Sequence, residues 1–231
     1  MKGAIIRISE NAFQSMLLAA LEAYFITHES GGKKERALET CGTLWGNVVS
    51  SGRGKIICVH MAAVETSAIR QHGYVIYKTD SIRLKLDMMR SLYPQYQFLG
   101  DFHTHAFSGA KVVEEQRLWR ASEDDKQGVE AQSDWLRSIG YECGVIMTIA
   151  RIGHTLPHPE HKIIEQSAGR LTFGNLRIWT SACYAAPSGG TLKYVDDKHT
   201  VLHMPGLEGM NYAYSAPGKV SRRGIYVPVE S

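Results

Sequence analysis

The sequence predicts a mixed α+β domain, three-layered and α/β/α-like, in which a curved mixed β-sheet is flanked by helices. Three observations carry this expectation. Apolar strand-like runs recur along the chain, the strongest at residues 142–152, which belongs at the centre of a sheet. Segments with a single apolar stripe at helical spacing fall before the second strand, before a histidine-bearing strand, and after it. Finally, 44% of the 231 residues are hydrophobic, enough for one domain with a substantial core.

Taken in order, residues 5–8 read as a short first strand. Ser9 or Asn11 then caps a helix whose stripe is Phe13, Met16, Leu17, Ala20, Leu21 and Tyr24. Residues 30–34, Ser-Gly-Gly-Lys-Lys, form a flexible break. Residues 39–49 and 55–64 are strands joined through 50–54 as an antiparallel hairpin. Residues 65–78 are loop with a short strand near 74–77. Thr79 or Asp80 then precedes a helix carrying Ile82, Leu86, Met89 and Tyr93, stopped by Pro94. Residues 97–102 are a strand that delivers His103 and His105. Ser122 starts a further helix with Val129, Leu136 and Ile139, ended by Gly140. The Pro-, Gly- and His-rich residues 153–160 read as loop. Strands follow within 171–184 and more weakly at 191–194 and 200–204, and residues 205–231 read as an irregular tail. The expected organisation is thus a core over 1–152, an extension with added strands packed on it over 153–204, and the tail.

Composition excludes several classes. The net charge is +3 with both signs mixed along the chain and no long basic block, so no specific nucleic-acid partner is expected. The apolar run at 16–21 is short and leads into Glu22, which fits neither a signal peptide nor a membrane span. Cys41, Cys58, Cys143 and Cys183 are widely separated, with no CxxC pair. They read as buried thiols of a cytoplasmic protein rather than a disulfide framework.

The chemistry-bearing residues are Glu39, His103-Thr104-His105 and Ser122-Glu123-Asp124-Asp125. Alternate residues of a strand share a face, so His103 and His105 can converge on one metal ion while Thr104 points away. Residues three apart share a helix face, which places Ser122 beside Asp125 in a first turn. Asp125 is then one candidate for a third ligand, which would leave a fourth position to water. Each part alone has a plainer reading. An HxH pair suits an edge strand, and Ser122 with three following acids is what a capped helix start looks like. Glu114 or Glu115 offers a rival third ligand. His154, His158 and His161 suggest a second metal site, although an exposed polar loop is simpler.

Together, in this order, these residues resemble the signature of the JAMM metalloproteases, also called the JAB or MPN-plus domain: a glutamate before a glycine-containing apolar strand, then His-Ser/Thr-His, then Ser-x-x-Asp. The likeness spans residues 5–148, and Leu99-Gly100-Asp101-Phe102-His103-Thr104-His105 matches the family's Gly-x-x-His-x-His approach. Ala106 stands where the family carries proline, and residues 106–121 lengthen the step from the second histidine to Ser122. Closure entropy grows slowly with loop length, so the longer stretch is compatible with an intact site. It reads as a lid, a substrate-contact loop in which Phe107, Val113 and Trp119 grip a peptide, or a short added helix fastened to the core.

The resemblance implies a JAMM/MPN-like fold with zinc held by His103, His105 and Asp125, Glu39 as general acid/base and Ser122 as a stabiliser of the oxyanion. It implies hydrolysis of an amide or isopeptide bond in a protein or peptide substrate, for example at the tail of a ubiquitin-like protein. Two other classes stay open: a non-catalytic interaction scaffold of the same fold, and a zinc hydrolase of a small amide metabolite. No membrane partner is expected, and the region after Ile152 offers a surface for specificity or for a homodimer contact.

Overall fold

Along the central strand, Cys143, Val145, Met147 and Ile149 all pack into one hydrophobic cluster, the period of two expected of a pleated strand. That cluster lies on one side of the sheet and a second on the other, which makes the three layers. The computed structural model describes residues 3–30, 33–52, 54–71, 73–195, 197–205, 218–220 and 226–228. The elements are β1 (Gly3–Ile8), α1 (Glu10–Phe25), β2 (His28–Ser30), β3 (Lys33–Glu35), β4 (Cys41–Ser51), β5 (Gly54–Val64), β6 (Ile69–Gln71), β7 (Tyr74–Ile76), α2 (Thr79–Leu92) and β8 (Gln97–Gly109). There follow α3 (Ala110–Gln116), α4 (Glu123–Ala131), α5 (Ser133–Ile139), β9 (Cys143–Glu165), β10 (Ala168–Ser188), β11 (Thr191–Tyr194), β12 (Thr200–His203), β13 (Gly218–Val220) and β14 (Tyr226–Pro228).

The main sheet is mixed and runs β11-β10-β9-β8-β4-β5-β1-β12. β1 is parallel to both β5 and β12, and β8 is parallel to β9, while β4 is antiparallel to β5 and β8. α1 fills one layer. Ser9 caps it by accepting from the Ala12 N–H, and Phe13, Met16, Ala20 and Tyr24 bury against Ile6, Leu44, Val59 and Met147. On the opposite face, α2, α4 and α5 place Ile82, Leu86, Val129 and Leu136 against Trp45 and Phe98. α3 packs further along that face, where Val113 and Trp119 meet Ala150 and Trp179.

Several expectations needed correction. Residues 153–160 are not a loop: β9 runs through them to Glu165 and pairs with β10. The ladder skips from Arg151↔Leu176 to Leu156↔Gly174 and then to Glu160↔Thr172, so Pro157 and Pro159 sit where no pairing is required of them. The hairpin bends there, and its tip meets the far edge of the sheet, with Leu202 N–H donating to Gln166 O at 2.9 Å. β9 therefore crosses residue 152, and β10, β11 and β12 extend the same sheet at its two edges.

The helix after Ser122 breaks at Gln132 into α4 and α5, and beside the break the Ser133 hydroxyl accepts from the Leu192 N–H of β11. Lys78, without a side-chain cap, rather than Thr79 or Asp80, precedes α2, and Tyr93 is exposed instead of lying in the stripe. Residues 28–35 form a β2–β3 pair rather than a plain break, with Gly31 and Gly32 outside the described residues. β6 and β7 make a second hairpin within 65–78. Of the tail, 206–217, 221–225 and 229–231 lie outside the described residues, while β13 and β14 pair antiparallel. None of the described cysteines forms a disulfide, and no described helix is long and apolar enough to cross a membrane.

Glu65 ties the end of β5 to α2. Its carboxylate, 1% exposed, accepts from Ser67 Oγ (2.6 Å), Ser81 Oγ (2.7 Å) and Lys85 Nζ (2.7 Å). Burial opposes its charge, yet these donors prevail and hold its pKa at about 2. A carboxylate depressed on folding stabilises above its unfolded pKa, and that contribution fades as pH falls toward its folded pKa. The wild type should therefore exceed Glu65→Gln in urea stability by roughly 2–3 kcal/mol at pH 7. The gap should begin to close below about pH 4.5. A gap constant from pH 7 to pH 3.5 would contradict this role.

Candidate metal centre

The site is assembled from three stretches far apart in the chain. β8 carries His103 and His105 on one face, and the first turn of α4 brings Asp125 to them. His103 Nε2 lies 3.2 Å from His105 Nε2 and 3.2 Å from Asp125 Oδ1, and His105 Nε2 lies 3.7 Å from Asp125 Oδ2. Ligand atoms held tetrahedrally at metal–ligand distances of about 2.0–2.1 Å stand about 3.3 Å from one another. Two imidazoles and a carboxylate at this spacing suit a single divalent ion, with room for a further ligand. Among the described residues this is the one group of three or more such side chains; His154, His158 and His161 do not converge.

Each ligand is oriented by a neighbour. The Leu118 carbonyl is 3.3 Å from His105 Nδ1, so a proton there leaves the Nε2 lone pair directed at the cluster. Burial, and then His103, push the His105 pKa down to about 4, which keeps the ring neutral. For His103 burial works against charge, but the hydrogen bond to Asp125 and the charges of Asp125, Asp101 and Glu39 outweigh it and raise the pKa. Asp125 would be raised by burial, yet His103, Ser122 and His105 hold it well below the usual carboxylate range. Ser122 is the cap of α4: its N–H and Oγ both donate to Asp125 Oδ2 at 2.7 Å, and the Asp125 N–H donates back to its Oγ at 3.1 Å. Capping the helix and fixing the carboxylate are thus one arrangement.

Glu39 lies just before β4 and is 8% exposed. Burial lifts its pKa to about 7, against the lowering effect of His103 and with a smaller push from Asp125. The backbone next to it is clamped by Thr104, whose side chain faces away from the ligands. Thr104 Oγ1 accepts from the Thr40 N–H and the Thr104 N–H donates to Thr40 O, both at 2.9 Å. Thr104→Val should leave that buried N–H unpaired, cost about 1–3 kcal/mol of stability, and loosen Glu39 without touching a ligand. Metal content should stay level while any hydrolysis falls several-fold; equal loss of both would show that Thr104 acts on the ligands instead.

The stretch 106–121 serves the site from behind. Val113 and Trp119 are buried against β9 and β10, so they fasten the stretch instead of gripping a peptide. None of its residues lines the cavity of about 380 Å³ that opens onto His103, His105, Ser122, Asp125 and Glu39. Glu114 pairs with Arg170 and Arg177, and Glu115 with Lys111, so neither reaches the histidines. The roles of Thr104 and of the Leu118 carbonyl had no signal in the sequence. Asp101 did have one, being two residues before His103 on the same strand. Burial raises the pKa of its carboxyl, and the opposing pull of His103 and of the Tyr77 and Tyr141 hydroxyls only partly offsets this.

No family model matches this chain, and no curated protein does. Solved structures include the solution structure of protein DSY2949 from Desulfitobacterium hafniense, 16% identical over 86% of this chain and 93% of that one, with a TM-score of 0.39. The name of that protein states no activity, and a match this loose says nothing about chemistry here.

Proposed function

We propose that this chain is a zinc-dependent hydrolase of the JAMM kind, with a JAMM/MPN-like fold, that cuts an amide or isopeptide bond, for example at the tail of a ubiquitin-like protein. The observation that carries the reading is the convergence of His103 Nε2, His105 Nε2 and the Asp125 carboxylate at ligand spacing, beside a buried glutamate and an open cavity. His103, His105 and Asp125 would hold the ion. Zinc bound there supplies a water acidified to near neutrality and a polarised substrate carbonyl.

The remaining chemistry belongs to the chain. Glu39 takes a proton from the attacking water at its carboxylate and delivers it to the nitrogen of the scissile amide, so that the C–N bond breaks with a neutral amine leaving. Its position in a half-dry pocket, with a pKa lifted to about 7, suits a group that must both accept and return a proton. Ser122 Oγ turns from Asp125 Oδ2 toward the charge that develops on the carbonyl oxygen.

Cleavage of ubiquitin-like tail fusions and of short peptide amides by the zinc-loaded full chain tests this reading. Turnover of at least one substrate, abolished by chelation and restored by zinc, is expected. A chain that binds one zinc yet cleaves nothing in either set would instead be an interaction scaffold.

A further inference from the structure

The cavity does not end at the histidines. It continues to Asp101, which lies two residues before His103 on β8 and faces the same side, one strand repeat or about 7 Å away. Tyr141 Oη donates to Asp101 Oδ1 at 3.0 Å, and the Tyr77 hydroxyl also bonds that carboxylate. Tyr194 supports Tyr141 from 2.7 Å, hydroxyl to hydroxyl. Two hydroxyl donors define Asp101 as an acceptor, and it is only half-buried, so part of it borders the cavity. The walls above this floor are apolar, with Ile82, Phe98, Trp135 and Leu136 among them.

Charge in the cavity is one-sided. Glu39, Asp101, Asp124 and Asp125 line it, and among the described residues no lysine or arginine does. Asp101 thus stands at the cavity floor with hydroxyl partners, and among the described residues no lysine or arginine lines the cavity beside it. An acid opening into an apolar-walled slot is a recognition element for a cation on an aliphatic stem.

We propose that Asp101 is the anchor of a specificity pocket for a basic side chain, lysine or arginine, on the substrate residue beside the scissile amide. The proposal rests on the metal-hydrolase reading above. The stem lies along Ile82, Phe98 and Leu136, and the ammonium or guanidinium meets Asp101. A cavity of about 380 Å³ is at the small end for ligand pockets, enough for one such side chain and the reacting group.

The test is calorimetric binding of amino-acid hydroxamates to the zinc-loaded full chain, since a hydroxamate anchors on the metal and leaves its side chain to probe the slot. Lysine hydroxamate should bind about tenfold or more tightly than norleucine hydroxamate, which has the same stem without the charge. Asp101→Asn should bring that ratio close to one. Asp101→Glu moves the carboxylate up the slot and should shift preference from arginine toward the shorter ornithine hydroxamate, which serves if the asparagine variant does not fold. Equal binding of lysine and norleucine by the wild type, or a preference that survives Asp101→Asn, overturns the pocket alone. Failure of every hydroxamate to bind the zinc-loaded wild type overturns the metal reading and the pocket with it.

Discussion

Glu39→Gln should abolish hydrolysis, by a factor of about 10²–10⁴, while leaving metal content as in the wild type. The ligand atoms come from His103, His105 and Asp125, and none of them depends on Glu39 for its orientation: Leu118 O steadies His105, and Ser122 steadies Asp125. What glutamine cannot do is take up the water's proton and pass it to the leaving amine. The same substitution should not destabilise the fold. Glu39 is 8% exposed with its pKa lifted by burial, so a neutral amide of the same shape removes a charge that the folded state disfavours. A variant that is inactive, metal-replete and as stable as the wild type identifies a catalytic carboxylate. Undiminished turnover would remove Glu39 from the mechanism.

The second large effect is on stability. Gly100→Ala should cost about 3 kcal/mol or more, because two constraints coincide there. Gly100 has φ +146, where side-chain-bearing residues are strained, and a Cβ would come within 1.7 Å of the Cys143 carbonyl oxygen on β9. Gly100 and Cys143 are register partners where parallel β8 and β9 begin to pair, so relief requires opening the sheet just below the histidines. Gly109 is the control: no atom lies within 4 Å of a Cβ built there, and Gly109→Ala should shift the urea midpoint little. Equal midpoints for the two variants would show that the strand contact at Gly100 is softer than its geometry implies.

The parts of the site that obey short-range rules could be read before folding was known. A period of two puts His103 and His105 on one face, and a serine with an acid three residues on both caps α4 and places Asp125. The stripe of α1 and the apolar run that makes β9 central were equally visible, since both follow from burial. What escaped is carried by backbone atoms or by distant pairing. The Leu118 carbonyl has no residue signature, and the Thr40–Thr104 clamp joins positions 64 residues apart. The strand through residues 153–160 escaped because its prolines and glycine argue locally for a loop. Pairing with β10 overrides them by leaving the prolines in the gaps of the ladder. The hydrogen bond beside the break at Gln132 likewise comes from β11, some sixty residues downstream.

The stretch 106–121 shows the same division. Its length marked it as the place where this chain differs from the resembling pattern, but not what it does. In the fold it buries Val113 and Trp119 and turns Leu118 O back toward His105, so it supports a ligand without entering the cavity.

Hydrolysis by this chain requires that His103, His105 and Asp125 hold an ion. Metal analysis of the freshly purified full chain, beside a His103→Ala/His105→Ala variant shown by circular dichroism to be folded, measures this directly. One tightly held zinc per chain in the wild type, and none in the variant, is the predicted result. A folded wild type that carries no zinc and takes none up on dialysis against it would contradict the account at its centre.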